Sequence, residues 1–562
     1  MAQAEGHAPT AGEAILRAIK AAGIDHVLAN PGTDFPSLIE ALADPALARA
    51  LPVPLAVHHE SVAMGMAHGH YLVSGRMLAV MVHVNVGLAN CAMGALNAAA
   101  SQVPVLMVSG RTPVTETGRP GSRVSPIHWG QEMFDQAGLV REAVKWDYEL
   151  RFPEQAAAVV ARAVSVARSA PCGPVYLSLP REVLAERVTL EPPVPGAGPA
   201  DPPPPDPALI DRAAALLAGA RAPLIVVQRS APAGHLDALA RLAEAAAIPV
   251  VEFWATAGAL PNTHPMHAGF DPAPLIGEAD VVLGIGASVP WVPSLSGPVA
   301  PKVIALGPDP LDLGTPYRGF AADIALTGDA GRGVAALADA LEGRVPGEVL
   351  AARQAAQAAR RAAQAEAVEA QIAAGAKGPM TAAYVSRVLS EEAGPEAAIF
   401  AELASLGAAL RLERAGQLFW TPHSGGLGWG LPAALGAKLA QPERTVIATV
   451  GDGSYLFANP AACHQVSAAH GLPVLTVVFN NGLWNAVRRA TLGMYPKGHA
   501  AAANEMPLTG LGPSPDYAAM AAAHGAHAVR VADPGALRAE VARALQVVRS
   551  EGRQALIEVA VA

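Results

Sequence analysis

The apolar run TVIATVG at 445–451 stops on Asp452, Gly453 and Ser454, and the next such run, VLTVVFN at 474–480, stops on Asn480 and Asn481. A carboxylate and an amide ending neighbouring strands stand where open parallel sheets hold their ligands. A hard cation such as Mg2+ takes oxygen ligands, commonly one or two protein groups together with substrate phosphates. One carboxylate, one amide oxygen and a backbone carbonyl meet that demand and leave positions for a diphosphate. Gly453 lets the backbone approach closely, and Ser454 opens the next helix, whose free N–H groups favour an anion. The chemistry these residues point to is a magnesium ion gripping a diphosphate.

Two other stretches carry groups able to move protons. VPLAVHHESVAMGMAHGH at 53–70 puts Glu60 just after a strand, in the first turn of a helix of small residues, and LAVMVHV at 78–84 puts His83 at a strand end. The segment HSGGLGWGLPAALG at 423–436 has the outline of a dinucleotide fingerprint. It lacks an acidic residue about twenty positions on in a strand–helix–strand context, so it is weak evidence for a nicotinamide cofactor.

Positioning these groups requires parallel sheets, and short apolar runs alternate with helical segments from end to end. Candidate strands are IDHVLAN, VPLAVHH, LAVMVHV, VPVLMVSG and PVYLSLP; then PLIVVQR, IPVVEFW, DVVLGIG and KVIALG; then AAIFAE, QLFWTP, TVIATVG, VLTVVFN and ALIEVAV. The fold class is α/β, with three doubly wound parallel-sheet domains at 1–190, 205–345 and 376–562. The proline-rich connector PPVPGAGPADPPPPDP at 192–207 separates the first two. A second linker at 346–375 contains a polar, alanine-rich surface helix over 351–375, ended by glycine.

The chain of 562 residues exceeds what one core organises. Its 39 Lys+Arg against 48 Asp+Glu give a net charge of −9 with no basic block, so nucleic acid and anionic membranes are not expected partners. Cys91, Cys172 and Cys463 are scattered without metal spacing, and neither an apolar leader nor an apolar run of about 18 residues is present, which fits a reducing cytoplasm.

The strand-end pair GDGS and NN, in order after NPGTDFPSLIEAL, HHESVAMGMAHG, GPVYLSLPREV and SGGLGWGLPAALG, resembles the thiamine diphosphate-dependent 2-oxo acid decarboxylase and acetolactate synthase family over nearly the whole chain. The resemblance implies pyrimidine-binding, middle and diphosphate-binding domains in that order. It implies that Asp452, Asn481 and the carbonyl of Leu483 hold Mg2+, with Ser454, Gly453 and Ser405 against the cofactor. It makes Glu60 the acid at the aminopyrimidine, Gly425 the acceptor for its amino group, and Leu427 the wedge that bends the two rings. Active sites are implied at a subunit interface, in a homodimer or homotetramer.

MVHVNVGLANCAMGALNAA and AVKWDYE are similar to benzoylformate decarboxylase and place His83 at its active-site histidine, whereas Gln131 resembles the glutamine of acetolactate synthases. GASVPWVPSLSG carries Trp291 where that decarboxylase has a second histidine, and Thr33 replaces a serine. His128, Trp129, Trp291, His423 and Trp484 are candidate pocket walls. VVQRSA lacks the glycines of a flavin site, so FAD is not expected. The expected activity is decarboxylation of a 2-oxo acid through an enamine, releasing an aldehyde, which His83 favours. The alternative is carboligation to a 2-hydroxy ketone or 2-hydroxy-3-oxo acid, which Gln131 favours. A 2-hydroxyacyl-CoA lyase, a non-catalytic cofactor-binding paralogue and a nicotinamide oxidoreductase are further rivals.

Overall fold

A computed structural model describes residues 9–190 and 198–562 of the chain. Residues 192–197 of the proline-rich connector lie outside the described residues. One compact unit takes the chain up to Pro202 together with Pro422–Gly426; a second takes Pro203–Thr421 with Leu427–Ala562.

The first unit is built on a six-stranded parallel sheet in the order Val53–Ala56, His26–Asn30, Ala79–Val82, Leu106–Arg111, Val175–Pro180, Asp147–Glu149. Central strands such as AVMV at 79–82 are buried throughout, as expected where helices cover both faces of a parallel sheet. The helices Glu60–Ser74 and Val84–Ala100 follow the strands that carry the expected proton-handling groups. Met81, Val108 and Leu177 pack with Ile15 and Val160 in one core.

The second unit holds two sheets. A five-stranded parallel sheet runs Ile324–Thr327, Lys302–Gly307, Val281–Ile285, Pro223–Val227, Val250–Glu252. A six-stranded one runs Leu418–Trp420, Ala398–Glu402, Val446–Gly451, Leu475–Asn480, Ala555–Ala560, His527–Val531. They are tied together by Gly258 N–H to the Leu418 carbonyl (2.7 Å) and by Asn262, whose amide donates to Leu410 O (2.7 Å) and accepts from Leu412 N (3.0 Å).

The sequence reading found the central strands and missed Asp147–Glu149, Ile324–Thr327 and His527–Val531. All three are edge strands, and their half-exposed patterns lack the continuous apolar run that marks a strand buried on both faces. The linker helix is longer than the sequence reading made it, spanning Gly347–Gly375, and among its residues only Arg353, Gln357 and Gly375 are buried. Arg353 donates to the carbonyls of Ala246 (2.7 Å), Leu217, Ala218 and Ala220. Gln357 and Arg361 both reach the carbonyl of His267, at 3.1 and 2.9 Å. Among the described residues no helix is long and apolar enough to cross a membrane.

Candidate functional site

In the first unit, Glu60 is the first residue of its helix and is buried. His59 caps that helix, its Nδ1 accepting from Ser61 N at 3.2 Å. Both carboxylate oxygens of Glu60 are engaged: Asn30, ending the first strand, donates to Oε1 at 2.8 Å, and Asn90 donates to Oε2 at 2.9 Å. The carboxylate is therefore held in one orientation by two amides.

His83 caps the helix Val84–Ala100 through its carbonyl, which accepts from Gly87 N at 2.7 Å, and its side chain makes no cap bond. Its Nδ1 lies 2.5 Å from Oδ1 of the buried Asp34, and its Nε2 lies 3.2 Å from the amide nitrogen of Gln131. The other Asp34 oxygen accepts from Val84 N at 3.2 Å. The hydrogen bond that His83 donates to Asp34 raises the His83 pKa, and the charges of Asp34 and Glu60 add to that; burial opposes it. Val84 takes φ +30, a conformation that costs a β-branched residue about 1–3 kcal/mol and persists only where the surroundings impose it. A methyl group at Gly110 would overlap the Asp34 carboxylate, and one at Gly32 would overlap the His83 ring.

His128 is buried, accepts from Val124 N at 3.2 Å, and has its pKa lowered chiefly by burial. Trp129 is exposed with the Arg123 guanidinium 4.8 Å over its ring, and Thr33 is exposed in the turn after the first strand. In the segment 422–426, Gly425 is exposed at φ +69. Asn97 fastens its neighbours: its amide oxygen accepts from Ser424 Oγ and from Gly426 N at 3.1 Å, and its amide nitrogen donates to the Gly426 carbonyl at 3.0 Å. His423 lies near the buried His68, whose pKa burial and that neighbour lower to about 3.

In the second unit, Asp452 is buried at the end of Val446–Gly451. Its Oδ1 accepts from Gly453 N at 2.8 Å and its Oδ2 from Gly482 N at 2.7 Å, which joins the GDGS turn to the turn after the neighbouring strand. Burial raises its pKa, and those N–H groups pull it back. Asn481 Oδ1 accepts from Leu483 N at 3.0 Å, while Asn480 donates to Glu558 at 2.8 Å and its Oδ1 accepts from Gly482 N at 3.0 Å. The Trp484 ring lies where a Cβ at position 453 would be, so Gly453 is required by that packing. Ser405 donates to Thr449 at 2.9 Å, and Leu427 is half-buried. Trp291 joins none of these; it packs edge-on to Phe320 at 4.9 Å in the core of the five-stranded sheet.

Among the described residues no three His, Cys, Asp or Glu side chains are grouped to hold a metal ion. Oxygens of Asp452, Asn481 and the Leu483 carbonyl, completed by phosphate oxygens, are a donor set that suits a hard divalent cation such as Mg2+.

Glu402 was missed by the sequence reading. Fully buried at the end of Ala398–Glu402, it accepts from Gly428 N and Gly430 N, both at 2.6 Å, and from Trp429 N and the Ser454 hydroxyl. Burial pushes it up to about 7 against the pull of those donors. Asp34, Asn30 and Asn90 were missed as well. The strand-end rule that singled out Asp452 would have flagged Asn30 and Glu402; Asp34 sits inside the NPGTDF turn, whereas Asn90 and Asn97 lie within a helix and carry no signal.

Three family models match the chain: the N-terminal TPP binding domain of thiamine pyrophosphate enzymes at 9–139, their central domain at 210–337, and their C-terminal TPP binding domain at 403–559. The chain is 30% identical over 538 residues to the "Probable 2-ketoarginine decarboxylase" of Pseudomonas aeruginosa, covering 92% of this chain and 88% of that protein. It is 27% identical over 554 residues to the acetolactate synthase large subunit of Parasynechococcus marenigrum, covering 95% and 85%. A thiamine diphosphate-dependent 4-hydroxybenzoylformate decarboxylase from Rhodococcus jostii has the same fold, with a TM-score of 0.76 at 22% identity over 98% of this chain and 99% of that one.

Proposed function

Because the chain belongs to the thiamine pyrophosphate enzyme family, we propose that it decarboxylates a 2-oxo acid and releases an aldehyde. The observation that carries this reading is the His83–Asp34 pair, an imidazole set up to hold a proton and surrender it to a product carbon. When bound, thiamine diphosphate supplies a carbon nucleophile that adds to the keto carbon and accepts the electrons left as CO2 departs. Asp452, Asn481 and the Leu483 carbonyl would hold it through Mg2+. Ser454, Gly453 and Ser405 would serve its diphosphate, and Gly425 and Leu427 its pyrimidine. Glu60, oriented by Asn30 and Asn90, handles the proton at the aminopyrimidine nitrogen. His128 and Trp484 border the substrate, with Thr33 toward its carboxylate; the packing of Trp291 gives that residue no such role.

The second reading is carboligation, and Gln131 beside His83 favours it: an amide there can hold a second carbonyl in place of a proton donor. The enzyme works as a homodimer or homotetramer, its Glu60 and Asp452 sets meeting across the subunit interface. A reducing cytoplasm suits its three free cysteines.

The test is to load the protein with thiamine diphosphate and Mg2+, offer pyruvate, benzoylformate or 2-ketoarginine with and without an acceptor aldehyde, and identify products by mass. An aldehyde as main product supports the first reading. A hydroxy ketone supports the second, and bound cofactor with neither product from any donor counts against both. Light scattering of the loaded protein reads the assembly, and a monomer with full activity would overturn the shared site.

A further inference from the structure

The reading of His83 as proton donor leaves open which of its nitrogens faces the reaction and what decides that. We infer that Asp34 is a positioning residue that fixes the tautomer and orientation of His83, so that Nε2 is the nitrogen presented to the reacting carbon. This inference rests on the proposed role of His83.

Asp34 has no access to a substrate: it is buried, with one oxygen against His83 Nδ1 at 2.5 Å and the other against Val84 N at 3.2 Å. A carboxylate can only accept from these partners, so Nδ1 carries its hydrogen in both charge states of the ring. Nε2 is then the nitrogen that gains and loses a proton. In the step itself the Nε2–H bond breaks, a C–H bond forms at the product carbon, and the ring is left neutral with its hydrogen on Nδ1. Gln131 suits both states. Its amide nitrogen, 3.2 Å away, donates to the bare Nε2, and its amide oxygen accepts from Nε2–H after a half-turn.

The backbone is arranged around this pair. Gly32 and Gly110 leave the space that Asp34 and His83 occupy, and the strained Val84 keeps its N–H on the second Asp34 oxygen. The charged or titratable groups that act on His83 are Asp34 and Glu60, which favour its protonation, and His128 on the neighbouring segment, which opposes it. Asn at position 34 has the same shape and cannot serve both partners. With its oxygen on Val84 N–H, its NH2 faces Nδ1 and forces the hydrogen of the neutral ring to Nε2, the opposite tautomer. With its oxygen on Nδ1–H, its NH2 opposes Val84 N–H.

The experiment is a pH titration of the full-length protein labelled with 13C at histidine Cε1, His83 being assigned from its absence in His83→Gln. Wild type and Asp34→Asn are compared, alongside decarboxylation of the donor that the product screen identifies. In Asp34→Asn the His83 midpoint should fall by about one pH unit or more, and kcat should fall at least about 10-fold with its pH limb moving alike. Thiamine diphosphate affinity should stay within about twofold, as for a site left folded. Asp34→Glu should recover part of the midpoint, and adding Asp34→Asn to His83→Gln should cost nothing further. An unchanged His83 midpoint in Asp34→Asn would overturn the inference by itself. Wild-type rates in His83→Gln beside a shifted midpoint would instead overturn the role of His83, and the inference with it.

Discussion

The two six-stranded sheets have the same strand order: in each, the second strand flanks the first, and the third, fourth, sixth and fifth follow on the other side. Their strand ends carry opposite chemistry. The first strand ends on an amide, Asn30, in one and on a carboxylate, Glu402, in the other, and each reaches the segment after the second strand. There Asn30 donates to the Glu60 carboxylate, whereas Glu402 accepts from the N–H groups of Gly428 and Gly430. The third strand leads into His83 in one and Asp452 in the other. Each sheet also bears a non-glycine residue at positive φ directly after one of these groups, Val84 after His83 and Leu403, at +56, after Glu402. One framework thus carries two sets of strand-end groups, and under the proposed function the first set moves protons while the second holds an anion through a cation.

The sharpest way to break this comparison is to exchange chemistry without changing shape. Glu60→Gln should cut hydrogen–deuterium exchange at cofactor C2 by about 100-fold or more while cofactor affinity holds; equal exchange would remove proton handling from the first sheet. Asp452→Ala should do the converse, weakening Mg2+-dependent cofactor binding by about 100-fold or more in calorimetry. Binding at wild-type strength would take the metal away from the second six-stranded sheet. Asn30→Ala removes one of the two bonds that orient Glu60, and a bond to a charged group of about 1.5–3 kcal/mol sets the expected loss of C2 exchange at about 10- to 150-fold. No loss would mean that Asn90 suffices.

The smallest effect concerns Glu402. Its folded pKa of about 7 lies above the ordinary 4.5, so the folded state holds its proton more tightly. The stability this contributes is complete below about pH 4.5 and is lost as pH rises through about 7. Glu402→Gln lacks that slope. The melting temperature of wild type relative to the variant should therefore fall by about 2–4 °C per kcal/mol released across this window, and a difference independent of pH would mean that Glu402 does not titrate there.

Much of this arrangement was legible before any coordinates. Asp452 and Asn481 stood out because each follows an uninterrupted apolar run that a parallel sheet buries, His83 because it ends such a run in the first domain, and Glu60 because it opens a helix of small residues shortly after a strand. Asp147–Glu149, Ile324–Thr327 and His527–Val531 were not legible, since their half-exposed patterns lack the apolar run by which the other edge strands showed. Nor was the partnership of Asp34 with His83, because the turn and the strand end that carry them are brought together only when the strands His26–Asn30 and Ala79–Val82 pair. Glu402 ends the run AAIFAE and obeys the strand-end rule; its partners were not legible, because the loop that carries Gly428 and Gly430 is supplied from beyond the next strand.

The buried polar side chains of the linker helix Gly347–Gly375 meet the five-stranded domain at backbone carbonyls, those of Ala246 and Ala220 on Arg353 and that of His267 on Gln357, with Arg361 also on His267. Such a clasp is nearly indifferent to ionic strength, because buried partners are weakly screened, and it is open to urea, which solvates peptide groups directly. Under a chaotrope this helix is the seam at which the chain should first become a substrate for proteases, while concentrated salt leaves it closed.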